Sequence, residues 1–354
     1  MKPLPMPRAP FPIVVLGAGG IVRDAHLPAY RLAGFPVWGI CDQAVERARA
    51  LAGEHGIPHV FGDLGQAIAQ APADAVFDLA LPASRFLDVL RRLPPGASVL
   101  MQKPMGETLA QAREIVALCR ERSLKASVNS QLRYAPFVRQ ARELIDLGGI
   151  GELLDLEVRL DVDIPWEIFP SLAGRPRMEI VHHSIHYIDL ARSFLGEPRS
   201  LLARTYSHPA YPALASVRST LLLDYPDPLR VTITANHTHR FGPAHQESYV
   251  KWEGTRGAIR ARIGLLLNYP HGAEDRFEYC TRRDGEVPVW QTIEVAGSWF
   301  PHAFIGPMAD AMRWKEGAIP RAPTHVEDAL KTMACVEAAY ASNAQGGFRP
   351  ETLS

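Results

Sequence analysis

Residues 12–30 read Pro-Ile-Val-Val-Leu-Gly-Ala-Gly-Gly-Ile-Val-Arg-Asp-Ala-His-Leu-Pro-Ala-Tyr. Ile13 to Leu16 form a short unbroken apolar run, the pattern of a strand buried on both faces. Gly17, Gly19 and Gly20 follow directly, and a helical pattern follows them. In a strand–turn–helix context such glycines point to dinucleotide binding. Gly17 permits a tight turn, and Gly19 lets the backbone approach a pyrophosphate. The helix start at Gly20 and Ile21 offers free N–H groups and a positive dipole end to phosphates. Val22 holds the third glycine position, so the motif is imperfect, and an ordinary glycine-rich turn is the competing reading.

Working outward, a chain of 354 residues is long enough for two domains with substantial cores. Its 38 basic and 38 acidic residues balance, and no long basic run occurs. That argues against nucleic acid or an anionic membrane as partner. Cys41, Cys119, Cys280 and Cys335 are scattered. They suit neither a disulfide framework nor a zinc ribbon, and fit a reducing cytoplasm. The first apolar run enters the glycine turn rather than a cleavage site, so no signal peptide is expected, and no run is long enough to span a bilayer. Prolines at 3, 5, 7, 10 and 12 predict an extended, mobile arm.

Val37 to Cys41 reads as a second strand ended by Asp42. This acidic residue lies where a carboxylate would accept hydrogen bonds from the adenosine ribose hydroxyls, although Asp is also a common helix cap. Gln43 and Ala44 bring no positive charge, which favours NAD over NADP. A helix over Val45 to His55 stops at Gly56. Strands are expected at His59 to Phe61, Ala75 to Leu81 (ended by Pro82), Ser98 to Met101 and Lys125 to Val128. Capping boxes at Asp63/Gln66 and Thr108/Gln111 open intervening helices. This alternation predicts a doubly wound parallel Rossmann sheet over residues 1–128.

The texture then changes. Leu154, Leu156, Val158, Leu160, Val162 and Ile164 alternate with polar residues, predicting one long strand with a wet face. Further strands are expected at 219–223, 230–235, 248–252 and 258–263. Residues 129–354 therefore read as an α+β domain with a large, open, mostly antiparallel sheet. Thr324 with Glu327 suggests a last capping box, before a helix burying Ala329, Met333, Val336 and Tyr340.

Two places could carry chemistry. Lys103 follows Gln102 just past a strand's carboxyl end, where open α/β sheets bind ligands. Residues 179–196 read as a helix closed by Gly196, with His182, His186 and Asp189 on one face. A histidine there can take a hydroxyl proton while hydride leaves the same carbon. A histidine pair at i, i+4 is also a zinc geometry. No Glu follows His182 and no third ligand is evident, so no metal is expected.

These pieces together resemble the glucose–fructose oxidoreductase, inositol dehydrogenase and rhizopine-catabolism family (Gfo/Idh/MocA), nearly end to end. The opening glycines with His26-Leu27-Pro28-Ala29 are similar to the family's first loop and helix. Met101-Gln102-Lys103-Pro104 matches its Glu-Lys-Pro motif with Gln in place of Glu. Ile150-Gly151-Glu152, Pro165-Trp166 and His186-Tyr-Ile-Asp189 also fit. The resemblance implies an NAD(P)-dependent dehydrogenase acting on a sugar, cyclitol or related polyol. Lys103 and His186 would be catalytic. The outer face of the second sheet would mediate dimers or tetramers. The family's Asp four residues before the histidine is here His182, and its glycine is Ser184. His182 is then either a polar partner in catalysis or a substrate contact.

NAD would contact Gly17, Gly19, Gly20, Ile21, Asp42, Pro82, Gln102 and Lys103. Arg133, Asp163, Trp166, His182, His186, His237, His239, Trp299 and His302 are candidate substrate contacts, since a sugar site needs polar groups beside a flat apolar surface. The alternative from another class is a catalytically silent, NAD- and sugar-sensing regulator of the same fold. Retention of both Lys103 and His186 argues for the enzyme.

Overall fold

The computed structural model describes residues 2–282 and 285–346. The chain divides into two compact units, Met1–Arg139 with Gly297–Met333, and Gln140–Ala296 with Ala334–Ser354.

Unit 1 holds six parallel strands: β1 (Ile13–Leu16), β2 (Val37–Cys41), β3 (His59–Phe61), β4 (Val76–Leu79), β5 (Ser98–Met101) and β6 (Lys125–Val128). Their order is β3-β2-β1-β4-β5-β6, the doubly wound arrangement that the alternating pattern implies. Helices α1 (Leu27–Ala33), α2 (Val45–His55), α3 (Leu64–Gln70), α4 (Phe86–Arg92) and α5 (Leu109–Glu121) connect successive strands. β1, β4 and β5 are wholly buried, which is why their sequences are short apolar runs rather than alternations. Asp63 caps α3 by accepting the Gln66 N–H at 2.9 Å, and Thr108 caps α5 through the Gln111 N–H at 3.2 Å. Gly56 ends α2 in the left-handed conformation.

Helix α6 (Pro136–Asp146) leads out of this unit. Unit 2 contains β7 (Leu153–Asp161), α7 (Ile185–Leu195), β8 (Ser200–Tyr206), β9 (Arg218–Asp224), β10 (Arg230–Asn236), β11 (Glu247–Gly254), β12 (Gly257–Arg262), β13 (Arg276–Thr281) and β14 (Gln291–Ile293). They form an eight-stranded sheet ordered β14-β13-β12-β11-β7-β10-β9-β8. Within this sheet only the β7–β10 pair is parallel among the described strands. Leu156, Val158 and Leu160 are buried while Glu157, Arg159 and Asp161 face outward, as the alternation requires. The strand stops at Asp161, three residues before the expected end at Ile164. Beyond it the Val162 N–H still donates to Asn236 O, but only an isolated bridge, Asp163 to Thr238, continues the pairing.

The sequence division at 128/129 differs from the compact units. After unit 2 the chain returns as α8 (Ile305–Lys315) and the start of α9 (Val326–Gln345). Helix α8 packs on β5 and β6, covering a sheet face that the first 128 residues leave open.

The capping box expected at Thr324 does not form. Its hydroxyl has no hydrogen-bond partner, and His325 Nδ1 instead accepts the Asp328 N–H at 3.0 Å. The cause is upstream pairing. Thr324 O accepts the Val128 N–H, His325 bridges Ser127, and Thr324 lies in a turn closed by the His325 N–H to Ala322 O, so the helix begins late. The proline-rich arm is extended, and it is held: the Arg8 N–H donates to the Glu316 carboxylate at 3.0 Å, and Lys315 Nζ lies over the Phe11 ring.

Candidate functional site

In unit 1 the candidate residues gather at the carboxyl ends of four neighbouring strands, β2, β1, β4 and β5. The strand order reverses beside β1, the place where such sheets open a ligand crevice. Gly17 ends β1 at φ +116°, and a Cβ there would stand 2.4 Å from Ala80 O, so only glycine fits. A Cβ built on Gly19 would meet nothing within 4 Å, which leaves the backbone open to a bulky group. The helix begins at Gly20 and Ile21, and its next residues, Val22–His26, form a π turn before α1. Together these features fit a pyrophosphate on the helix start.

Asp42 follows β2. One carboxylate oxygen accepts the Ala18 N–H and the other the Ala44 N–H, both at 2.8 Å. The carboxylate is thus clamped onto the glycine loop. It also lies 3.3 Å from Arg47 Nη2. The expectation of no neighbouring cation is therefore corrected: helix periodicity swings Arg47, five positions on, back over Asp42.

Pro82 follows β4, is exposed, and opens a 3-10 turn at Ala83–Arg85. Gln102 follows β5, is buried, and its Oε1 accepts the Lys103 N–H at 3.1 Å. The Lys103–Pro104 peptide is cis. Burial pushes the Lys103 ammonium down to about 8, because desolvation disfavours its charge.

Three further unit 1 candidates have structural partners. Arg133 donates to Asp328 Oδ2 at 2.7 Å, an ion pair with the first turn of α9. His302 Nδ1 accepts the Ser298 N–H at 3.2 Å, and burial lowers its pKa. Trp299 is buried, with its ring 5.7 Å from that of Phe300.

Sequence reasoning missed a cluster under the glycine loop. Asp78, on β4, is fully buried; its Oδ2 lies 2.7 Å from His26 Nδ1 and accepts the Tyr30 hydroxyl at 2.7 Å. Asn129 Nδ2 stands 3.4 Å from His26 Nε2. The signal was available: an aspartate inside an otherwise apolar strand must find buried partners.

In unit 2 the helix expected over 179–196 is composite. Residues Ile180–Ser184 form a π turn, and α7 continues from Ile185 to Leu195, closed by Gly196 as its C-cap. The simple i, i+4, i+7 face is thereby corrected, because a wider turn separates His182 from His186. Both histidines are half-buried, whereas Asp189 is buried with its carboxylate 3.9 Å from Arg192. Asp163 is half-buried beside Thr238.

Trp166, His183 and His237 come together. The Trp166 ring stands 5.5 Å from His183 and 5.9 Å from His237, edge-on to both. Trp166 also belongs to a buried apolar cluster with Val162, Met178 and Leu214. His239 goes elsewhere, with its Nδ1 3.5 Å from Asp161 Oδ1 beside a cavity lined by Arg159, Arg260 and Arg262. His183 and Glu179 were not singled out from sequence, and Ser184 was noted only as a departure from the resembled family's glycine. A glutamate in the run Met178-Glu179-Ile180-Val181 was the clue.

Comparison with known proteins bears on these features. A family described as "Oxidoreductase family, NAD-binding Rossmann fold" matches residues 11–130, and the "GFO/IDH/MocA C-terminal domain" matches residues 138–260. A D-apiose dehydrogenase of Paraburkholderia graminis is 26% identical over 349 residues, 95% of this chain and 88% of its own. A D-xylose 1-dehydrogenase (NADP(+)) of Haloferax volcanii is 23% identical over 338 residues, 94% of this chain and 97% of its own. Among solved structures, an oxidoreductase from Agrobacterium radiobacter in complex with NAD+, L-tartaric acid and magnesium is 22% identical. It superposes with a TM-score of 0.78 over 96% of this chain and 98% of its own, a likeness of fold.

Proposed function

Because the chain belongs to the Gfo/Idh/MocA oxidoreductase family, we propose that it is a dehydrogenase oxidising a hydroxyl of a sugar, cyclitol or related polyol, or reducing the ketone. The observation that carries this reading is Lys103. It lies at the carboxyl end of β5, on the same edge of the parallel sheet as the glycine loop after β1, with a proton held loosely enough to respond to a reacting oxygen. The names of the relatives, D-apiose and D-xylose dehydrogenases among them, support a sugar substrate.

The cofactor, when bound, supplies the hydride acceptor. Gly17, Gly19, Gly20 and Ile21 would hold its pyrophosphate, Asp42 the adenosine ribose, and Pro82, Gln102 and Lys103 the nicotinamide end. NAD is the preferred form, since the Asp42 carboxylate would repel a 2′-phosphate. Lys103 hydrogen-bonds the reacting oxygen and stabilises its developing negative charge. His186 accepts the hydroxyl proton, and His182 assists it or contacts substrate. Asp163, Trp166, His237, His239, Trp299, His302 and Arg133 remain the substrate candidates; Arg133 is the weakest, given its ion pair with Asp328.

The test is NADH absorbance across aldoses, D-apiose, inositols and sugar acids. Turnover of at least one is expected. Protein that binds NAD and a sugar yet never reduces the cofactor would favour the regulatory reading.

A further inference from the structure

Glu179 has no solvent exposure. Its two carboxylate oxygens accept the Ser184 hydroxyl at 2.8 and 3.1 Å, and Oε1 lies 3.2 Å from His237 Nε2. A carboxylate only accepts, so the proton in the second contact belongs to His237 Nε2. In the neutral ring that fixes the tautomer and makes Nδ1, the other ring nitrogen, an acceptor. His237 is 2% exposed, and its Nδ1 has no hydrogen-bond partner among the described residues. Buried polar atoms without partners are uncommon and call for a ligand. The ring lies 4.7 Å from that of half-buried His183 and 5.9 Å, edge-on, from that of buried Trp166. A few placed polar groups among apolar walls are what a small polar ligand's site requires.

Resting on the polyol reading above, we propose that His237 Nδ1 accepts a hydrogen bond from a substrate hydroxyl, and that Glu179 is the positioning residue holding it in acceptor form. Ser184 completes the device. Where the resemblance expects a glycine, its hydroxyl supplies a hydrogen bond to the buried carboxylate. The same helix that has exchanged a carboxylate for His182 thus carries one at Glu179, directed at a histidine of the sheet. An acceptor of this kind selects a free hydroxyl and rejects an O-methyl ether at that position, since the ether leaves it unpaired.

The experiment uses the full-length protein labelled with 15N-histidine, loaded with NAD, and observed by long-range 1H–15N correlation. His237 is expected as the Nε2–H tautomer. Glu179→Gln, with helicity and melting unchanged by circular dichroism, should mix the tautomers. D-apiose and D-xylose serve as probes, and the one turned over should shift the Nδ1 resonance. Kinetics supply a second readout. His237→Gln keeps a donor towards Glu179 but loses the acceptor, so KM for that sugar should rise roughly tenfold or more with kcat little changed. His237→Asn places an oxygen where Nδ1 stood and should recover much of that loss. An Nδ1–H tautomer, or equal KM in the two variants, overturns the proposal. Sugar turnover with an unresponsive Nδ1 overturns it while leaving the polyol reading intact. If neither probe is turned over, the sugar, inositol or sugar acid of the panel that is turned over takes their place, and absence of turnover and of any Nδ1 response across the whole panel overturns the two together.

Discussion

Lys103 gives two independent handles on the same side chain. Its pKa is held at about 8 in the folded chain, below the usual lysine value near 10.4. Between those values the unfolded chain binds more protons than the folded one, so folding stability rises with pH across that window. Lys103→Met removes this titration. Measured by urea unfolding at pH 7.5 and pH 10, wild type should gain about 2 kcal/mol on the variant over that interval. A constant difference would mean an ordinary, solvated lysine. In turnover, the same variant should bind NAD normally and lose most kcat, because the lost hydrogen bond matters chiefly in the transition state. Asp42 offers the companion test. Its carboxylate occupies Arg47 at 3.3 Å, so Asp42→Ser should free that guanidinium for a 2′-phosphate. The ratio of kcat/KM for NAD to that for NADP should fall at least tenfold, and an unmoved ratio would remove Asp42 from cofactor choice.

At the scale of elements, α9 shows how a local signal is overruled. Thr324 and Glu327 have the right spacing for a box, yet pairing with β6 holds Thr324 in a turn ahead of the helix and His325 caps instead. Thr324→Val should therefore be neutral or slightly stabilising, since it removes a buried hydroxyl that bonds to nothing. His325→Ala should cost about 1 kcal/mol, the usual value of an N-cap. Thermal melts of the two variants decide it, and equal losses would restore Thr324 as the cap. The same contrast explains what was readable in advance. β1 was plain because a strand buried on both faces leaves an apolar run before a glycine, and β2 because its apolar run stops at Asp42. β8 and β13 were not: in β8 the apolar Leu202 takes an exposed position and breaks the sequence alternation, and in β13 burial does not alternate. The π turns at Val22–His26 and Ile180–Ser184 carry no periodicity signal, and both fall on helices that hold candidate site residues. Lys103 and His186 were visible as motif residues. Glu179 and Asp78 were present in plain sight, but their partners lie far along the chain, and only folding brings them together.

For the molecule as a whole, the division of the chain is the least local feature. Residues 1–128 look like a finished nucleotide-binding domain, with six strands and their connecting helices. They lack the layer supplied by Gly297–Met333. Phe304, Met308 and Met312 of that returning segment are almost fully buried. Phe304 lies 5.2 Å from the His26 ring, and a Cβ on Gly306 would press into Tyr134. Tyr134 in turn donates to Asp310 at 2.7 Å, and Asp310 pairs with Arg313. Each large apolar side chain contributes about 1.5–3 kcal/mol by burial. Three of them are therefore worth about 5–9 kcal/mol, comparable with the total stability of about 5–15 kcal/mol of an ordinary domain. A fragment ending at Arg139 should therefore be largely unfolded, binding apolar dyes and showing no cooperative melt. The same fragment joined through a flexible linker to residues 297–333 should regain a cooperative transition and bind NAD. The fusion is the informative arm, because it restores the packing without any residue of unit 2. If the short fragment melted cooperatively alone, the returning segment would be an accessory layer rather than part of the core.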